Sequence, residues 1–86
     1  MTDQEHPLFA TREEALAAPG EVYEHYKGGI YRIHMRGVLD CEQHTERGVI
    51  YEHLWPHDHE FWYRHEKDFF STLPDGRPRF KLIKKG

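Results

Sequence analysis

The chain has one cysteine, Cys41, and so no second thiol with which to close an internal disulfide. It has no long apolar run, which sets aside a signal peptide and a membrane span and makes a cytoplasmic location the expectation. It has little net charge. Its 12 Lys and Arg against 15 Asp and Glu leave −3, too small a surplus to argue for nucleic acid by itself. There is no glycine-rich phosphate loop, no pair of carboxylates spaced for acid–base work, and no internal repeat. Its eight histidines fit no zinc-finger spacing. At 86 residues the chain is one domain. A domain of this size buries only about 60–65% of its unfolded surface, so its core is modest.

What the chain does have is aromatic side chains, 14% of its residues. Each buries a large area, which makes a small core feasible. They concentrate first in Tyr23-Glu24-His25-Tyr26-Lys27-Gly28-Gly29-Ile30-Tyr31-Arg32, two aromatic-rich runs around a Gly-Gly pair. Glycine accepts the positive φ of a tight turn, so the stretch predicts a β-hairpin turning at Gly28-Gly29. That turn pairs Lys27 with Ile30, His25 with Arg32 and Tyr23 with His34. Val22, Tyr26, Tyr31, Ile33 and Met35 then share a core face, with Glu24 the charged exception. The other face gathers Tyr, His, Lys and Arg. A slip of one residue would exchange the two faces.

Before the hairpin, Thr11-Arg12-Glu13-Glu14 fits a capping box and predicts a short helix over 12–18, stopped by Pro19-Gly20. Two helical turns do not hold alone, so Leu8, Phe9 and Leu16 are expected to dock on the sheet. After the hairpin, Gly37 marks a bend and 40–48 a loop. A third strand over 48–55 ends at Pro56, and His57-Asp58-His59 makes a turn into a fourth strand over 60–64. Residues 65–71 hold a single helical turn that sends Phe69 or Phe70 inward. Pro74-Asp75-Gly76 is a turn, and 79–83 is the closing strand. The pattern predicts an all-β fold, a small and strongly bent barrel or roll of about five strands with one short N-terminal helix. The helix and tail occupy 1–19 and the β-domain 20–86. Tyr26, Tyr31, Ile33, Ile50, Phe61, Phe80 and Leu82 take the inward positions.

Tyr23-x-His25-Tyr26-Lys27-Gly28-x-x-Tyr31-Arg32, followed by Val49-Ile50-Tyr51, Trp62-x-Arg64, Phe69 or Phe70, and Arg79-Phe80, resembles a bacterial family of uncharacterised domains. It is the domain of unknown function numbered sixteen-fifty-three. The resemblance runs over about residues 20–83 and implies an SH3-like β-roll with no established activity. The chain departs from the family in two places. Cys41-Glu42-Gln43-His44 stands where the family has a His-Ser-Glu-like triplet, and His65 stands where it has proline after Trp-x-Arg.

The main candidate site is the polar hairpin face, Tyr23, His25, Lys27 and Arg32, joined by Trp62 and Arg64. Forked guanidinium donors beside aromatic faces suit an anionic or planar ligand. The plainer reading is an exposed face with cross-strand pairs of about 0.2–1 kcal/mol each. As a site, the cations would surround one depression walled by Trp62 or Tyr23. Glu52 or Glu66 would then stand in for an absent anion. His57 and His59, with His53 and His65 nearby, offer imidazoles to a transition metal and so open a metal-assisted enzyme as an alternative. Their polar turn has no third ligand on a fixed element, so no metal and no cofactor is expected. Cys41 and His44 lack an oxyanion partner, and no catalytic residue is assigned. The expectation is a non-enzymatic binding module for an anionic small molecule or a protein, with no membrane partner. Single-stranded nucleic acid is the other alternative, by analogy with small barrels.

Overall fold

In the computed structural model, which describes residues 9–56 and 60–85, the helix starts where its capping residues place it. The Thr11 hydroxyl accepts from Glu14 N (3.1 Å), and the Glu14 carboxylate accepts from Ala10 N (3.0 Å). One of the free N–H groups at the helix start, that of Glu14, is thereby satisfied, and the Glu14 side chain ties down the residue before the cap. This helix, α1, spans Arg12–Leu16. Phe9 and Leu16 pack with Ala15 and Ala18 against Val22, Ile30 and Leu54 of the sheet, as expected of a helix too short to stand alone. Leu8 and the turn His57-Asp58-His59 lie outside the described residues.

Five strands follow: β1 Glu21–His25, β2 Ile30–Leu39, β3 Arg47–Trp55, β4 Phe61–His65 and β5 Phe80–Lys85. A single helical turn, α2 Glu66–Phe69, leaves β4 directly. The strands form one sheet in the order β4-β3-β2-β1-β5, every neighbour antiparallel. The protein is mainly β, a small roll. Pairing of β2 with β3 slips between Ile33 and Met35 and again between Met35 and Val38, where Gly37 takes a φ of 72°. Such irregularities add twist and bend to a sheet.

The hairpin forms with a different turn from the expected one. His25 N donates to Gly29 O (2.8 Å) and Gly28 N donates to His25 O (2.7 Å), which leaves Tyr26-Lys27-Gly28 as a three-residue loop. Gly28 closes it at a φ of 106°. Tyr23 consequently lies opposite Tyr31 in place of the expected His34, and Arg32 opposite Val22 in place of the expected His25. Each partner has moved by three residues. An odd shift exchanges the faces. Gly29 serves a separate purpose, because a Cβ there would come within 2.9 Å of Tyr31 Cε1 and 3.2 Å of His53 Nε2.

The exchange rewrites the core. Tyr23, Val49, Tyr51, Phe69 and Phe80 pack on one side of the sheet, with Tyr31 and Ile33 against them. Val22, Ile30 and Leu54 pack on the other side, under α1. Of the side chains expected inside, Phe80 is buried, and Tyr31, Ile33 and Ile50 are half-buried. Tyr26, Phe61, Leu82 and Met35 are corrections, since all four are exposed, Phe61 at 59%. Tyr26 belongs to the loop, and Phe61 and Leu82 lie on outer strands with a neighbour on one side only. Gly48 admits no side chain: a Cβ would stand 2.5 Å from Tyr63 Cζ and 2.6 Å from the Arg64 carbonyl oxygen.

Candidate functional site

The two faces of the sheet separate the six candidate residues. Tyr23 is buried in the core, its ring edge-on to Phe69 at 5.3 Å, and its hydroxyl accepts from Arg36 (3.0 Å). Burial, helped by the Glu21 charge, holds that hydroxyl above the usual tyrosine range. Tyr23 is therefore no wall of a surface site. Arg32 reaches Pro19 O (2.9 Å) and Glu52 Oε1 (2.9 Å), and the same Glu52 oxygen meets His34 Nε2 at 2.5 Å. Glu52 is only 3% exposed. Burial pushes its carboxyl up, but hydrogen bonds from His34 and Arg32, with their charges, prevail and hold it below its ordinary value. Glu52 thus stands beside Arg32 as a counter-charge.

Arg64 donates from Nε to the Tyr51 hydroxyl (3.2 Å). Tyr51 and Glu52 are consecutive on β3, so they point to opposite faces and take Arg64 and Arg32 with them. The structure does not gather the six into one depression. It leaves two groups, one around the hairpin loop and one at β4.

The first group surrounds the hairpin loop. A groove of about 560 Å³ is lined by Glu24, His25, Tyr26, Lys27 and Gly28 on one wall and Arg77, Pro78 and Lys81 on the other. Tyr26 N donates to Arg79 O (3.0 Å) and fastens the two walls together. Glu24 is paired with Arg12 at 2.6 Å, and Arg77 with Asp75 at 2.8 Å. Among the described residues, Lys27 and Lys81 form no ion pair. His25 Nδ1 accepts from Lys27 N (3.1 Å), and its ring packs edge-on to Phe80 at 4.8 Å. Burial first, then the charges of Arg64, Arg79 and Lys27 and the neighbouring His53, hold His25 below its ordinary value of 6.5, so it stays neutral at pH 7.

The second group lies at β4. Trp62 and Arg64, two residues apart on one face, line a shallow depression of about 460 Å³ with Asp40, Tyr51, Tyr63, His65 and Asp68. Arg64 is ion-paired with Asp68, and Arg79 Nε lies 3.9 Å from the other Asp68 oxygen. Arg79 Nε also donates to Ser71 Oγ (3.0 Å). Glu66 accepts from Gly37 N instead of facing Arg64.

The 40–48 loop is organised by Asp40. Its Oδ1 accepts from Glu42 N (2.7 Å) and Gln43 N (3.1 Å), and its Oδ2 meets His65 Nε2 at 2.9 Å. The His65 bond, then the Glu42 N–H, hold its carboxyl below the usual range. A His44 ring nitrogen lies 2.9 Å from the Cys41 carbonyl oxygen, so this contact is with backbone and not with the thiol. The described residues contain no group of three or more His, Cys, Asp or Glu placed to hold a metal, and His57 and His59 lie outside them. No described helix is long and apolar enough to cross a membrane.

A five-stranded antiparallel roll with cations and aromatics collected at its hairpin and its β4 edge defines a small mainly-β domain. Residues 21–82 match the family described as protein of unknown function (DUF1653), and the chain belongs to that family. No curated protein and no solved structure matches it. Arg77, Arg79 and Lys81 are additions to the expected site. They are far from the hairpin in sequence, and the pairing of β5 with β1, with Tyr26 N donating to Arg79 O, brings this segment back to it. Asp68 is another, visible in sequence only as i+4 from Arg64.

Proposed function

We propose that this chain is a non-enzymatic binding module whose hairpin groove takes an anionic ligand. One observation carries the reading. Lys27 and Lys81, from a loop and a strand far apart in sequence, line the same groove, and neither forms an ion pair among the described residues, because Glu24, which faces Lys81 across β1 and β5, is paired with Arg12. Arg77 lines the groove with its charge met by Asp75, Tyr26 and Pro78 give apolar walls, and neutral His25 offers a hydrogen-bonding nitrogen without a further charge. An ion pair at 4 Å is worth about 1 kcal/mol in water and about 4 kcal/mol near a protein surface. A single small anion would therefore bind weakly, and a ligand carrying several negative groups is favoured.

Pyrophosphate and a hexaglutamate peptide are suitable probes, followed through the backbone amides of 25–28 and 77–81. Lys27→Ala and Lys81→Ala should each weaken binding by about threefold to tenfold, with affinity falling as salt rises. Both side chains are exposed, so the melting temperature should stay close to that of the wild type. Wild-type affinity in the double variant would remove the groove from consideration. A single-stranded oligonucleotide binding far more tightly than either probe would favour the nucleic-acid alternative.

A further inference from the structure

We infer a second, separate site at the β4 depression, for a small oxyanion attached to an aromatic ring: the oxyanion takes the place of the Asp68 carboxylate between Arg64 and Arg79, and the ring lies on Trp62. Asp68 presents one oxygen to Arg64 and the other toward Arg79, so one carboxylate serves two guanidinium groups and a positive charge is left over. Its side chain is 49% exposed and belongs to a helix of four residues, so a change of rotamer is enough to clear the position. The arginines do not depend on Asp68 for their placement. The Tyr51 hydroxyl holds Arg64 Nε, and the Arg64 guanidinium carbon lies 5.8 Å from the centre of the Phe80 ring; Ser71 holds Arg79 Nε. Donors fixed in advance lose little freedom on meeting a ligand.

Trp62 supplies the second half of the argument. It stands on the same face as Arg64, two residues earlier on β4, and lines the same depression as Arg64 and Asp68. It is 50% exposed, and Arg64 is placed against Phe80 and not against it, which leaves its indole face open. Asp40, which also lines the depression, is already bonded to His65 and to the N–H groups of Glu42 and Gln43 and so does not engage Arg64. The site therefore selects a ligand that is anionic at one end and flat and uncharged at the other, unlike the multiply charged ligand of the hairpin groove.

Phenyl phosphate and inorganic phosphate test this in the full chain, by calorimetry and by the indole N–H resonance of Trp62. Phenyl phosphate should bind at least about tenfold more tightly than inorganic phosphate and shift that resonance. Asp68→Asn removes the internal competitor and should tighten both probes by about fivefold. Trp62→Ala should bring phenyl phosphate down to the level of inorganic phosphate. The Lys27→Ala/Lys81→Ala double variant should leave phenyl phosphate binding unchanged, which separates this site from the groove. Equal affinity of the two probes for the wild type would overturn the inference, a result that needs no variant to fold. So would unchanged or weaker binding in folded Asp68→Asn, or loss of phenyl phosphate binding in the lysine double variant.

Discussion

Phe69→Ala is expected to cost about 3–5 kcal/mol, a large part of the roughly 5–15 kcal/mol that holds a small domain together. Phe69 is fully buried, stacked on Phe80 with ring centres 4.0 Å apart and planes 4° from parallel. Tyr23 and Tyr51 meet it edge-on at 5.3 and 5.2 Å. It comes from a single helical turn that has no stability of its own, so its ring is the pin that fastens α2 to the sheet. Removing the ring leaves a cavity among Phe80, Tyr23, Tyr51 and Phe70 and unfastens the turn that carries Asp68. Thermal melts should show a fall of more than about 12 °C for a domain of this size. A wild-type melting temperature would show that α2 does not close this side of the core.

The second large effect is expected at Glu52. Removing its carboxylate as Glu52→Ala leaves Arg32 partly buried without its counter-charge, and Arg32 Nε already lacks a hydrogen-bond partner among the described residues. Breaking such a pair from one side costs about 3 kcal/mol or more, whereas replacing both partners with apolar groups can be nearly neutral. Glu52→Leu with Arg32→Met should therefore recover much of what Glu52→Ala loses. Two single changes that simply add to the double would deny the coupling. The pH dependence has a definite sign. Because the folded carboxyl is held below its ordinary value of 4.5, its contribution is complete above that pH and is lost as pH falls through the lowered value. Acid titration of stability should be shallower in Glu52→Gln than in the wild type, and identical slopes would exclude Glu52 as a source of acid sensitivity.

The elements were legible in the sequence, and their faces were not. Thr11 and Glu14 mark the helix, Pro74-Asp75-Gly76 a turn and Gly37 a bend, because each acts through neighbours within a few residues. The hairpin failed on a subtler point. Gly28-Gly29 looks like a two-residue turn, whereas one glycine supplies the positive φ of a longer loop and the other makes room for Tyr31 and His53. That single misreading turned Tyr26 inward and Tyr23 outward. Candidate site residues divided by the same logic. Trp62 and Arg64 share a face because they are two apart on one strand. Arg32 looked available because its partner Glu52 is 20 positions away, and no local pattern announces it. Arg79 and Lys81 are separated from the hairpin by the whole middle of the chain.

The sheet carries packed side chains on both of its surfaces, one layer under α1 and the other around Phe69 and Phe80. β3 lies inside the sheet and contributes to both layers, through Leu54 on one and Val49 and Tyr51 on the other. β4 and β5 are the outer strands, and both proposed binding surfaces draw on them. Amide protons of β3 can therefore reach solvent only through global unfolding, while those of β4 and β5 can exchange by local fraying. A ligand at either surface would act chiefly on the fraying. Its signature would be slowed hydrogen exchange at the two borders of the sheet, with exchange along β3 still reporting the cooperative unfolding of the whole domain.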